Sequence, residues 1–274
     1  MVAHPLQVKR ASYQRNTHQP TSVLKNHFIL PLLICGFFSL SPIVLADIPN
    51  GGRTAETAVT PFDNSRHGAF LREIQSKKGD FDFVLIGDSI TDFWPGRGKD
   101  SYASFSPWKP LDLGVAGDTT EDVLYRIMNG ELEGIHPKVV MIMIGTNNLA
   151  RGMEQPEWTA AGVKKIVEVV RAKCPKAKIL LLAIFPRSDK GDKMMERVTA
   201  TNKLIAPLGD NKTIFFMDIG SHFIDAQGKL KEELFVDKLH PNLAGYQVWL
   251  EAVKPKLVEL MGPATPVAVP APAH

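Results

Sequence analysis

The sequence predicts an α/β fold, a three-layer α/β/α sandwich built on a five-stranded parallel sheet. Two observations carry this expectation. Five short runs are almost wholly apolar and bounded by turn residues or charges, the signature of strands buried on both faces. Between them lie longer segments whose apolar residues recur at three-to-four spacing, the period of a helix with one buried side. Alternation of the two implies a sheet covered by helices on both faces.

In chain order, a helix is expected over residues 64–77 and the first strand over 81–86 (FDFVLI). The second strand, 111–115, leads to a helix over 120–129, and the run 139–144 (VVMIMI) is the third strand. A helix over 156–173 follows, in which Val163, Ile166, Val167 and Val170 share one face and Cys174-Pro175 ends the pattern. Residues 179–184 (ILLLAI), a helix over 194–207, the strand 214–217 and a last helix over 241–261 complete one domain spanning 62–261. No internal repeat is visible. In such sheets ligands bind beyond the carboxyl ends of the strands, so chemistry is expected in the segments just after them.

The flanks read differently. Lys9, Arg10, Arg15 and Lys25 precede an apolar run, 28–46, that closes Val44-Leu45-Ala46. This is the layout of a secretory signal peptide (1–46) cleaved after Ala46, which makes the mature protein secreted or periplasmic. The alternative is an N-terminal membrane anchor, because the run of about 18 residues approaches the roughly 20 of a span; Pro31, Ser39, Ser41 and Pro42 interrupt it. Residues 47–61 read as an extended lead-in, and 262–274, rich in Pro and Ala, as a disordered tail.

Four of the 32 Lys and Arg lie in the leader and none of the 29 Asp and Glu does, so the chain from Asp47 onward carries a net charge near −1. No electrostatic footprint of a nucleic-acid binder, which needs a clustered basic face, is therefore expected. Cys35 falls in the leader, and Cys174 alone forms no intramolecular disulfide. No His, Cys and Asp cluster has metal-ligand spacing, so neither a metal nor an organic cofactor is expected.

Four strand ends carry the chemistry. The first is followed by Gly87-Asp88-Ser89-Ile90-Thr91, which places a hydroxyl on the rim; alone, it reads equally as a turn and helix cap. After the second comes Gly114-Val115-Ala116-Gly117-Asp118-Thr119-Thr120, where Gly117 lets the main chain approach a ligand closely or simply closes a loop. Gly145-Thr146-Asn147-Asn148 follows the third, with Asn147 as a donor to a developing oxyanion or as an Asx turn. After the fifth stand Asp237-Lys238-Leu239-His240-Pro241, an imidazole with an orienting carboxylate three residues before it. A serine needs such a base to attack near neutral pH. Asp92 and Trp94 line the pocket mouth or serve as cap and packing; His67 and His222 lie outside the four blocks.

Together these blocks resemble those of the SGNH (GDSL-like) hydrolases, over about 64–260. Ser89, Gly117, Asn147 and His240 match the four name-giving residues, and Asp237 matches the Asp of the family's Asp-x-x-His motif. The stretch from Gly117-Asp118-Thr119-Thr120 through Asn129-Gly130-Glu131-Leu132-Glu133 to Gly145-Thr146-Asn147-Asn148, with Phe185-Pro186-Arg187, looks most like the platelet-activating-factor acetylhydrolase catalytic subunits. The block here reads Gly-Asp-Ser-Ile where the name-giving pattern has Leu. The resemblance implies a flavodoxin-like sandwich and a serine esterase, with Ser89, Asp237 and His240 catalytic. Ser89 and Gly117 N–H groups and the Asn147 amide then form the oxyanion hole. It implies short acyl, typically acetyl, esters of a small molecule or glycan. A lipid or lysophospholipid esterase and an inactive glycan-binding module of the same fold are the alternatives.

Overall fold

The computed structural model describes residues 55–61, 64–151 and 155–262. The expected signal peptide, most of the lead-in and the tail after Gly262 lie outside the described residues.

Five strands form one sheet: β1 (Phe83–Gly87), β2 (Pro110–Gly114), β3 (Val139–Met143), β4 (Lys178–Leu182) and β5 (Ile214–Met217). They run in the order β2-β1-β3-β4-β5 and all pairings are parallel. This is the flavodoxin-like order, in which the chain reverses its direction of travel between β1 and β3 and leaves a crevice at their carboxyl ends. Nine α-helical segments surround the sheet among the described residues. The long ones are α1 (Ser65–Ser76), α5 (Thr120–Arg126), α7 (Pro156–Lys173), α8 (Asp192–Ile205) and α9 (Leu243–Met261). The short ones are α2 (Ser89–Asp92), α3 (Trp94–Arg97), α4 (Lys99–Ala103) and α6 (Thr146–Ala150).

Strand periodicity divides the core into two layers. Val84, Ile86, Leu111, Leu113, Val140 and Ile142 pack against α1, α5 and α7. Phe83, Leu85, Val139, Met141 and Met143 face the other way, against α9 and the segment between β1 and β2. β1 and β3 are buried at every position, which explains their unbroken apolar sequences.

The elements fall close to expectation, with instructive differences. The helix expected over 120–129 ends at Arg126 and continues as a π turn, Ile127–Glu131, in which Gly130 has a φ of 119°. The helix expected over 194–207 starts at Asp192 and passes at Ile205 into a 3-10 turn containing Pro207. The helix that the Gly87-Asp88-Ser89 block could cap is present as α2, whereas α3 and α4 were not foreseen, because segments of four or five residues are too short to display a period. Trp94 accordingly is a core residue rather than part of a pocket mouth. It is fully buried, its ring stacks on Trp249 at 4.0 Å, and its Nε1 donates to Ser101 Oγ. The described part of the lead-in lies against α5: the Ala55 carbonyl accepts from Thr120 Oγ1 and Val59 N–H donates to the Glu121 carbonyl.

One polar residue sits awkwardly in the sheet. Asp112 on edge strand β2 lies opposite Leu85; its Oδ1 accepts the Gly114 N–H at 2.8 Å, whereas Oδ2 is enclosed without a partner. Burial pushes this carboxyl up to about 7, against the pull of the Gly114 N–H. A carboxyl raised in the fold contributes stability that is complete below its ordinary value and is lost as pH climbs to the folded value. Asp112→Asn keeps the shape of the protonated acid at every pH. Thermal melts should therefore show the variant gaining on the parent as pH rises from about 4 to about 7 and no further above that, by on the order of 1 kcal/mol or more; a difference that does not vary with pH would contradict this.

Candidate active site

The crevice between β1 and β3 receives Ser89. Gly87 ends β1 so tightly that an added Cβ would lie 2.9 Å from the Met143 carbonyl and closer still to Thr91. Asp88 then caps α2, its Oδ1 accepting the Ile90 N–H at 3.0 Å. Ser89 follows as the first residue of that helix, nearly buried at 6% exposure. Burial pushes the Asp88 carboxyl up to about 7, with the Ile90 N–H opposing and Asp118 adding to the rise.

The partner of Ser89 comes from the loop before α9. Phe235 and Pro241 pair across that loop, Val236 N–H donates to the His240 carbonyl, and Lys238 takes a φ of 64° to close the turn. Within it, Asp237 Oδ1 accepts the main-chain N–H groups of His240 (2.8 Å) and Leu239 (3.2 Å), while Oδ2 lies 2.7 Å from His240 Nδ1. His240 Nε2 is 2.9 Å from Ser89 Oγ. An ionised Asp237 accepts from Nδ1–H and so leaves the Nε2 lone pair facing the serine hydroxyl. Although burial acts to raise the Asp237 carboxyl, the His240 main-chain N–H, the imidazole and the Leu239 N–H outweigh it and hold the group below the ordinary carboxylate range. The Phe93 ring lies 5.4 Å from the imidazole and walls it on one side.

Gly117 and Asn147 meet across Asp118. The turn after β2 is closed by Asp118 N–H on the Val115 carbonyl, and Gly117 adopts a φ of 88°, open to glycine without a Cβ penalty. The Gly117 carbonyl accepts from Arg151 Nη1 at 3.0 Å. Asn147, on α6, donates from Nδ2 to the Asp118 carbonyl at 2.9 Å. Its neighbour does something else. Asn148 Oδ1 accepts the Thr120 N–H, and its Nδ2 donates to Thr120 Oγ1 and Glu121 Oε2, clasping the start of α5. Asp92 joins α2 to the same turn: its Oδ2 accepts the Ala116 N–H and its Oδ1 pairs with Arg66 at 2.6 Å.

The sequence-predicted residues are thus found in two groups: Ser89, His240 and Asp237 in one hydrogen-bonded chain, and Asn147 bonded to the residue that follows Gly117. Sequence reasoning missed the arginines that brace them. Arg187, buried, donates from Nη1 to the Thr146 carbonyl and Oγ1 while its other nitrogens grip Asp189; the Phe185-Pro186-Arg187 resemblance was its only signal. His67 is enclosed and bound to Glu131, and His222 lies in a 3-10 turn, Gly220–Phe223. A cavity of about 440 Å³ adjoins Gly117, lined by Arg66, Asp92, Ala116, Asp122 and Arg151 among others.

The chain is similar in sequence and fold to known proteins. Residues 85–248 match the model of the GDSL-like Lipase/Acylhydrolase family. Human platelet-activating factor acetylhydrolase IB subunit alpha1 is 32% identical over 219 residues, covering 76% of this chain and 90% of its own. The rat alpha2 subunit is 32% identical over 183 residues, 66% of this chain and 77% of its own. In fold, a GDSL-like lipase from Bacteroides thetaiotaomicron superposes with a TM-score of 0.61 at 19% identity, covering 72% of this chain and 99% of that one. An acetyl-xylooligosaccharide esterase from Geobacillus gives 0.53 at 20% identity, with 68% and 96% covered.

The two asparagines should separate in experiment. Asn148→Ala removes three buried hydrogen bonds and strands the Thr120 N–H, so urea unfolding should show a loss of about 1–3 kcal/mol. An unchanged midpoint would mean that α5 is held in place by other contacts.

Proposed function

Because this chain belongs to the GDSL-like lipase/acylhydrolase family, we propose that it is a serine esterase that removes short acyl groups, acetyl above all, from a polar alcohol such as a carbohydrate. The observation that carries the reading is the chain Ser89 Oγ to His240 Nε2 (2.9 Å) and His240 Nδ1 to Asp237 Oδ2 (2.7 Å). In the proposed mechanism His240 takes the Ser89 proton as the hydroxyl attacks the ester carbonyl, and Asp237 holds the tautomer and stabilises the imidazolium. The Ser89 and Gly117 N–H groups and the second Asn147 N–H receive the negative charge of the tetrahedral intermediate. His240 then protonates the departing alcohol; a water, deprotonated by the same nitrogen, releases the acid and restores Ser89.

The choice of acyl group draws on the relatives, which are named for acetyl hydrolysis at about a third identity. Support for a polar alcohol comes from the cavity beside Gly117, whose lining includes the charged side chains of Arg66, Asp92, Asp118, Asp122 and Arg151. Export through a signal peptide cleaved after Ala46 is part of the same proposal. N-terminal sequencing of exported material should begin at Asp47, and a full-length mass in the membrane fraction would favour an anchor instead.

Ser89→Ala should abolish hydrolysis of p-nitrophenyl acetate without altering the melting temperature, since it removes the nucleophile and little packing. Retention of more than about a hundredth of parental activity would sink the assignment. Asn147→Ala should lower kcat by about 100-fold with little change in KM, as an oxyanion donor acts mainly on the transition state. Full kcat in that variant would remove Asn147 from the mechanism.

A further inference from the structure

Behind Asp118 lies a chain of ionisable side chains that acyl transfer leaves unused. Arg126, the last residue of α5, donates from Nε (2.9 Å) and Nη2 (2.6 Å) to Asp118 Oδ2, and from Nη2 to the Leu113 carbonyl at 3.0 Å. Its Nη1 meets Glu131 Oε2 at 2.5 Å, and Glu131 Oε1 lies 2.8 Å from His67 Nδ1. The exposures are 4% for Asp118, 1% for Arg126, 0% for Glu131 and 7% for His67. A network this enclosed contributes little net stability, because desolvation offsets most of the attraction. Burial raises both the Asp118 and Glu131 carboxyls, and the Arg126 charge between them opposes the rise.

What the network does accomplish is directional. Asp118 is fixed through its carboxylate by Arg126 and through its N–H by the Val115 carbonyl. Held at both of these points, Asp118 presents its own carbonyl as the acceptor for Asn147 Nδ2. An amide nitrogen carries two N–H groups in one plane. With one committed to Asp118, the direction of the other is set. The π turn, opened by Gly130 at φ 119°, brings Glu131 back within reach of the guanidinium, and Glu131 with His67 closes the far side of it.

We propose that Arg126 is a positioning residue for the oxyanion site, holding Asp118 so that the Asn147 amide keeps its second N–H aimed at the developing negative charge. The proposal rests on the reading of Asn147 as an oxyanion donor. A displacement of that donor by even about an ångström is enough to cost about 100-fold in rate.

A double-mutant cycle tests it, with Arg126→Met, Asn147→Ala and the pair assayed for kcat and KM on p-nitrophenyl acetate. Arg126→Met alone should lower kcat by about 10- to 100-fold with a much smaller effect on KM. In the Asn147→Ala background the same change should cost less than about twofold, because residues acting as one unit are not additive. Arg126→Lys, which restores a charge but not the fork, should recover part of kcat. Equal losses in both backgrounds, or an unaltered kcat in Arg126→Met, overturn the inference. Where Arg126→Met does not fold, Asp118→Asn enters the same cycle, keeping the main-chain carbonyl and the side-chain volume. Full kcat in Asn147→Ala would overturn the oxyanion reading and this inference with it; a large loss there combined with equal Arg126 losses overturns only the inference.

Discussion

Five strands running the same way impose the layout of everything else. β1 and β3 are buried on both faces, so no polar group can stand within them without losing its hydration. Polar chemistry is confined to the ends. Because the strands are parallel, their carboxyl ends share one rim, and the reversal between β1 and β3 opens the crevice there. Ser89 stands at that crevice, two residues beyond the end of β1.

The rim is held by hydrogen bonds that pass from each strand's loop to another's and return to the start. The β1 end is tied to the β2 loop by Val115 N–H on the Gly87 carbonyl and by Asp92 on Ala116. Asn147 and Asn148 tie the β2 loop to α6 after β3. Arg187 ties the loop after β4 to Thr146, and the adjacent Ser188 N–H reaches the Lys238 carbonyl in the His240 loop. The Ser89–His240 contact closes the circuit. Loops fixed at both sides have few ways to drift, which is what a site needs when its donors must be in place before the charge develops.

This circuit also explains what was legible in the amino-acid sequence and what was not. Runs such as Val139 to Met143 announce themselves, because burial on both faces dictates every side chain in them. The blocks around Ser89, Gly117, Asn147 and His240 were legible because strand ends mark where to look and because glycine is demanded at the turn at 117 by its positive φ. The bracing arginines were not. Arg187 and Thr146 are 41 positions apart, and His67 and Glu131 are 64 apart, so their pairing follows from tertiary distance and leaves no local pattern. Asn147 and Asn148 show the same limit at short range: side by side in sequence, they leave a short helix in different directions, one toward Asp118 and the other toward Thr120.

Environment also decides which carboxylate suits the imidazole. Asp88 is adjacent to Ser89 in sequence and Asp118 adjacent to Gly117, yet burial drives both carboxyls upward, to about 7 and about 6, and each already has fixed partners: the Ile90 N–H for one and Arg126 for the other. A group that titrates near neutrality is a poor fixed anion. Asp237 is half-exposed, accepts two main-chain N–H groups besides the imidazole, and is held below the usual range. Its surroundings favour the charged form, whereas burial of the other two works against it. In the proposed mechanism, the orienting carboxylate must remain ionised while the imidazole gains and loses a proton. Of these three aspartates Asp237 alone is held below the usual range, and it is so because its loop, tightened by Lys238 in the left-handed region, turns two N–H groups onto one carboxylate oxygen.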